Sequence, residues 1–150
     1  MQHPIATPQD FFKRVVAPDV AALREEVGDV RLAFHAAISL HHLPDWICGA
    51  GIVQYKDPSK YLQSLYPRHP GLEIIRALAL NAKHFPPDSA PKLNIGTSAG
   101  PALSLPTTPF CESTQMQVLA KSEDGESQWV FQVISDAYDF WVTEMKKYPA

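Results

Sequence analysis

Apolar residues recur at intervals of three and four along most of the chain, which is the pattern of amphipathic α-helices. The pattern is strongest in "DVRLAFHAAISLHHLPDWICGAGIV", where one face carries Val30, Phe34, Ala37 and Ile38. Because the neighbouring face is apolar as well, this segment is predicted to be the central helix of a bundle. Pro44 predicts a kink or a break within it, since the proline ring clashes with a carbonyl one turn back.

Prolines and helix-start residues divide the flanking helical patterns. The segment "PQDFFKRVVAPDVAALREEVGD" predicts one helix, or two short helices that meet near Pro18. In "DPSKYLQSLYP", Asp57 is a predicted N-cap and Pro58 occupies the first helical position, where proline is favoured. The next helix, "GLEIIRALALNAKHF", starts after Pro70 and cannot continue past the proline pair at 86–87.

The C-terminal part of the chain contains the predicted β-structure. Residues 86–115 hold six prolines, which predict an extended loop with short strands around "KLNI" and "ALSL". In "MQVLAKSEDGESQWVF", apolar residues flank an Asp-Gly step, so we expect a β-hairpin. The last helix is predicted from about Val130 to Lys147. The expected fold is mainly α: a single domain over residues 1–150, built as a four-helix bundle with a C-terminal β-hairpin before the last helix.

The composition narrows the class of protein. The 150 residues are 45% hydrophobic and 19% charged, and the net charge of −3 lacks the basic excess of most nucleic-acid-binding proteins. The opening has no apolar run typical of a signal peptide, and no segment has the length of a transmembrane helix. We therefore expect a cytoplasmic protein without membrane contact. Cys48 and Cys111 lack metal-ligand spacing and are expected to be free thiols. No cofactor-binding motif is present, and no cofactor is expected.

One candidate site lies in "IIRALALNAKHFPP", residues 74–87. At about 100° per residue, Arg76, Lys83 and His84 fall on one side of the predicted helix, and Asn81 lies on an apolar flank. These four residues form a candidate catalytic set, in which the cations hold an anion such as phosphate and His84 acts as general acid or base. The structural alternative is that Glu73 pairs with Arg76, while Lys83 and His84 interact with free carbonyls in the last turn.

A second candidate site lies in "HAAISLHHLPDW". His41 and Asp45 are about one helical turn apart, and together with His42 they are candidate metal ligands. His84 or His69 would supply a further ligand. The structural alternative is a hydrogen bond from His41 or His42 to Asp45, or to a backbone carbonyl beside the proline.

Three stretches, "HHLPDW", "IIRALALNAKHF" and "AYDFW", resemble a group of small bacterial helical proteins over roughly residues 30–145. An arginine and a histidine on one helix of a bundle also resemble, more distantly, the HEPN superfamily, in which many members are ribonucleases that act as dimers. This second resemblance implies RNA cleavage by Arg76 and His84 at paired sites. Their spacing here is one residue longer than in the superfamily's motif.

These patterns favour association as the function. An apolar inventory rich in aromatic residues, without a complete catalytic motif, predicts a protein that binds a second copy of itself or another protein, with a homodimer as the expected state. The first alternative is a HEPN-like ribonuclease or toxin that uses Arg76 and His84, with RNA as its partner. The second is a metal-dependent helical-bundle protein that uses His41, His42 and Asp45.

Overall fold

The computed structural model describes residues 4–84, 87–101 and 114–150, which form five helical stretches and one three-stranded antiparallel sheet. The first stretch runs without interruption through α1 (Pro8–Phe11), a π-helical turn (Phe12–Val16) and α2 (Ala17–Glu25). The others are α3 (Val30–Gly49), α4 (Pro58–Leu65), α5 (Gly71–Lys83) and α6 (Val130–Met145). The strands are β1 (Leu93–Pro101), β2 (Thr114–Ser122) and β3 (Ser127–Trp129).

Helix α3 lies at the centre of the core, as its apolar circumference predicts. It contacts α2, α4, α5 and α6, and its residues Leu40, Leu43 and Ile47 are completely buried. From α6, the Trp141 side chain enters the same core and is also fully buried. Each such side chain stabilises the fold by about 1.5–3 kcal/mol relative to an exposed position. The core therefore holds α3 and α5 rigidly beside each other, which positions the polar residues between them.

Pro58 and Pro18 lie in the first turns of α4 and α2, as predicted, whereas Pro44 lies inside α3. Asp57 is the N-cap of α4, where its carboxylate accepts from the Ser59 N–H at 2.9 Å, which confirms the predicted start. Pro18 does not break the first helical stretch, because the π-helical turn before it shifts the hydrogen-bond pattern. Pro44 is buried within α3, and the helix is not split there. Packing on both sides of Pro44 compensates for the one backbone hydrogen bond that proline removes.

The prediction of a four-helix bundle with a hairpin is correct in class and wrong in detail. There is a fifth helical stretch, and the short strand predicted around "KLNI" is the start of a longer strand, β1, which is the third strand of the sheet. β1 pairs with β2 continuously from Leu93↔Ser122 to Pro101↔Thr114. The sequence permits this ladder, since no proline interrupts the chain between Pro91 and Pro101. The strand expected around "ALSL" lies outside the described residues.

The predicted hairpin is confirmed as β2 and β3. Leu119 pairs with Trp129, and the Gly125 N–H closes the turn on the Ser122 carbonyl at 3.0 Å. Gly125 has a φ of +92°, a conformation that glycine adopts without steric cost, so the Asp-Gly step supplies the turn. The hairpin leads directly into α6, and thereby fixes the sheet against the helical core.

Candidate functional site

The four candidate catalytic residues of α5 do not converge. Arg76 is half-buried, and a guanidinium nitrogen donates to Ser89 Oγ at 3.4 Å. Lys83 and His84 are exposed at the C-terminal end of the helix, where the His84 N–H closes the last turn. The predicted ion pair between Glu73 and Arg76 is not among the ion pairs that the described residues form. Arg76 and His84 therefore lie in different surroundings within one chain.

Asn81 has a structural role. Its side-chain amide donates to the Ala77 carbonyl at 2.7 Å and to the Pro91 carbonyl at 2.8 Å, and its Oδ1 accepts from the Leu93 N–H at 3.0 Å. The buried amide thus has the partners that burial requires. Through these bonds Asn81 connects α5 to the start of β1.

Of the three candidate metal ligands on α3, His42 and Asp45 contact each other, whereas His41 lines a different, more buried region. His42 Nδ1 lies 2.8 Å from Asp45 Oδ2 on the exposed side of the helix, which is the predicted structural alternative. His41 Nδ1 is instead buried without a hydrogen-bond partner. The His69 ring stacks on Phe140, with ring centres 5.1 Å apart. In the described part of the chain, no three His, Cys, Asp or Glu side chains form a group that could hold a metal ion.

A polar cleft between α3, α4 and α5 brings together one residue from each candidate set. His41 faces it from α3, Arg76 faces it from α5, and Tyr66 borders it at the end of α4. The cavity has a volume of about 270 Å³. Its other lining residues are Ser59, Leu62, Gln63, Leu80 and Ser89. This lining contains a permanent cation and no carboxylate, so its electrostatic preference is for an anion.

The His41 imidazole is held neutral in this cleft. Burial lowers its pKa, and electrostatic interactions with His42 and Arg76 lower it further, against an opposing effect of Asp45. Since Nδ1 is buried and has no partner, a protonated ring would leave a charged N–H without an acceptor. Nε2 is therefore the nitrogen that is available to a ligand.

The Tyr66 hydroxyl is a neutral hydrogen-bond donor at the border of the cleft. Burial raises the pKa of the Tyr66 phenol, with a smaller lowering effect of Arg76, so the hydroxyl stays protonated and able to donate.

Arg76 also borders a second, more apolar groove of about 360 Å³ between α5 and the sheet. The lining of that groove includes the acidic residues Glu73, Asp124 and Glu126.

The outer edge of β1 is a second candidate site, because its backbone groups point away from β2. The Leu93 N–H donates to Asn81, and the Val118 N–H, opposite Thr97, donates to the Val27 carbonyl at 2.9 Å. Opposite residues of an antiparallel pair either face each other or both face away. Alternate residues of β1 thus direct their N–H and C=O groups outward. Among the described residues, no partner hydrogen-bonds the outward N–H groups of Ile95, Thr97 and Ala99.

The composition of β1, "LNIGTSAGP", leaves this edge unprotected. The strand has no charged residue, whereas exposed edges usually carry charges, internal prolines or bulges that prevent pairing with another chain. Beside the edge, Met116 is the cross-strand partner of Ala99 and is 54% exposed. An uncharged edge next to an exposed methionine is a surface suited to strand pairing.

No protein-family model matches the chain, and searches of curated proteins and of solved structures found no similar protein. The helices in the described part of the chain include none that is long and apolar enough to span a membrane. The resemblance to HEPN ribonucleases, the role of Arg76 with His84, and the metal role of His41 with His42 and Asp45 stay predictions.

The polar cleft and the β1 edge both depend on tertiary packing, which the sequence pattern does not reveal. His41 and Arg76 are far apart in sequence, and Tyr66 and Ser59 follow no motif that marks them as site residues. The sequence feature that could have pointed to the β1 edge is the absence of charge over residues 93–101. That feature is informative only once β1 is known to be an edge strand.

Proposed function

We propose that the protein acts by association, as a homodimer in which the β1 strands of two copies pair edge to edge. The observation that supports the proposal is the row of outward N–H and C=O groups at Ile95, Thr97 and Ala99. Strand addition at a free edge obtains its affinity from main-chain hydrogen bonds. The result is a continuous six-stranded sheet across the two copies.

A two-fold axis at Thr97 gives this pairing a self-complementary register. Thr97 then faces Thr97 of the second copy, and Ile95 faces Ala99 of the second copy, in three hydrogen-bonded pairs with about six hydrogen bonds. Both ends limit the register, because the Leu93 N–H is already bound by Asn81 and Pro101 has no N–H. The open part of the edge is therefore symmetric about its central residue.

The occupant that this edge favours is a second copy. No charge on β1 repels an identical strand, and the small Ala99 side chain fits beside Ile95 of the opposite copy. The two Met116 side chains lie next to the shared edge and lose exposed apolar surface on pairing. A contact of this size is at the lower end for stable interfaces, so we expect a dissociation constant of about 1–10 μM.

The test is the molar mass in solution, measured by light scattering from about 1 to 100 μM protein. Wild type is expected to approach twice 16.7 kDa with rising concentration. Thr97→Pro should remain monomeric and folded, because the lost N–H points away from β2 and the ring occupies the position of the second strand.

The matched control is Thr97→Val, which keeps the backbone N–H and should dimerise like wild type. A wild-type protein that stays monomeric at the highest concentration contradicts the proposal. So does a folded Thr97→Pro variant that still dimerises. Circular dichroism of each variant establishes that it is folded.

A further inference from the structure

We infer that the cleft between α3, α4 and α5 is a binding site for a small phosphate-bearing anion. Arg76 is its principal hydrogen-bond donor, and His41 and Tyr66 are further donors. The site is separate from the β1 edge and does not depend on dimer formation.

Arg76 is available for a ligand. In the described part of the chain its guanidinium has no carboxylate partner, and its hydrogen bond to Ser89 Oγ is long, at 3.4 Å. The planar guanidinium fork can donate two parallel hydrogen bonds to two oxygens of one phosphate group. A half-buried arginine without a carboxylate is costly unless an anion or water satisfies its donors.

The donors around the cavity are distributed in three dimensions. Arg76 comes from α5, His41 from α3, Ser59 and Tyr66 from α4 and its C-cap, and Ser89 from the segment that follows α5. Donors on several sides of a cavity match a tetrahedral oxyanion better than a planar carboxylate. The arrangement of donors therefore favours a phosphate group over a carboxylate as the bound anion.

His41 is adapted to donate one hydrogen bond without carrying charge. Its Nδ1 is enclosed and unpartnered, so the neutral ring places its proton most favourably on Nε2, where a phosphate oxygen can accept it. Burial and the nearby Arg76 keep the pKa of this imidazole below its ordinary value. A bound phosphate would oppose that effect and raise the pKa of His41.

The volume of the cavity limits the ligand. About 270 Å³ is slightly below the range of drug-sized pockets and admits inorganic phosphate or a small phosphate monoester. The cavity excludes a nucleic-acid strand or an extended phosphopeptide as the main occupant. The inference therefore concerns a small metabolite or the free ion.

The experiment is a titration of the full chain, followed by nuclear magnetic resonance of the Arg76 side chain and the His41 ring. Inorganic phosphate and glycerol 3-phosphate are the two phosphate probes, and acetate at equal ionic strength is the comparison. We expect saturable shifts at both residues, with a dissociation constant on the order of 1 mM or below for at least one phosphate probe. The tighter of the two probes distinguishes the free ion from a monoester.

Arg76→Gln is expected to weaken phosphate binding at least about tenfold, since it removes a charge-assisted pair. Arg31→Gln is the matched control, because Arg31 is an exposed arginine beside Asp29 and outside the cleft. Equal loss of binding in both variants, binding of acetate as tight as phosphate, or no saturable shift in wild type by about 20 mM probe would overturn the inference. The wild-type titration decides the matter even if Arg76→Gln does not fold.

Discussion

At the residue scale, the side chain that departs most from the apolar pattern of its helix is Glu144. It is only 4% exposed, yet it lies on the buried side of α6 and accepts from Arg68 at 2.8 Å and from Lys147 at 2.6 Å. Burial alone raises the pKa of this carboxyl, but the two hydrogen bonds outweigh burial, and the pKa lies below its ordinary value. The ionised form is therefore more stable in the folded protein than in the unfolded chain.

Glu144→Gln is expected to lower the free energy of unfolding by about 1–2 kcal/mol at pH 7, because both cationic partners are half exposed and screened. A lowered folded-state pKa contributes stability above the unfolded-state value of about 4.3, and this contribution is lost as the pH falls through the folded-state value. The difference between variant and wild type should therefore shrink below about pH 4.

Urea unfolding at pH 7 and pH 3 measures this difference for Glu144→Gln. Glu123→Gln serves as the control, because Glu123 is exposed in the hairpin turn. A gap between Glu144→Gln and wild type that is equal at the two pH values would show that ionisation of Glu144 is not what stabilises the fold.

The residues of the polar cleft could be recognised one by one in the sequence, but their arrangement could not. The sequence drew attention to Arg76 and His41 separately, because a cation and an imidazole on apolar helices are chemically conspicuous. It could not pair them, since their shared position in one cleft depends on how α3 packs against α5. A buried amide such as that of Asn81 needs partners, but two of them, Pro91 and Leu93, lie in the following segment, where no sequence pattern marks them.

At the element scale, the helices could be predicted far better than the sheet. Their limits follow from local chemistry, such as the Asp57–Pro58 start of α4 and the proline pair after α5. The hairpin could be predicted for the same reason, from its Asp-Gly turn. Only the start of β1, around "KLNI", could be predicted, because the glycines and small polar residues that follow show no alternating pattern. It is a strand because it pairs with β2, and pairing across a long connection leaves little trace in the sequence of one strand.

Gly100 provides a test of how closely β1 packs against the rest of the sheet. A Cβ at this position would lie 2.9 Å from a ring carbon of Trp129 and 3.0 Å from Gln117 Nε2. Gly100→Ala is therefore expected to lower the free energy of unfolding by about 1–3 kcal/mol. Gly96→Ala, in the same strand, meets no atom within 4 Å and should change stability by less than about 0.5 kcal/mol. Chemical denaturation of the two variants makes the comparison, and equal stabilities would contradict the described position of Trp129.

At the scale of the whole molecule, the mainly helical fold class follows from the apolar periodicity of the sequence. The function that we propose depends instead on features of the surface. Within the described residues, packing of the core explains α3, α5 and α6 but does not explain the unpaired edge of β1 or the polar cleft. The first is the basis of the proposed homodimer. The second is the basis of the inferred phosphate site. Neither feature requires the other, so each can fail alone.

The central claim is that the outward N–H groups of Ile95, Thr97 and Ala99 are hydrogen-bonded between two copies. Amide hydrogen exchange of these three positions, at about 1 μM and about 100 μM protein, tests it most directly. With the expected dissociation constant, the account predicts exchange within about twofold of the monomer rate at the low concentration and about five- to fifteen-fold slower exchange at the high one. In Thr97→Pro, the slowing at Ile95 and Ala99 should be abolished. Exchange that is equally fast at both concentrations would contradict edge pairing, and so would protection that is already complete in the dilute monomer.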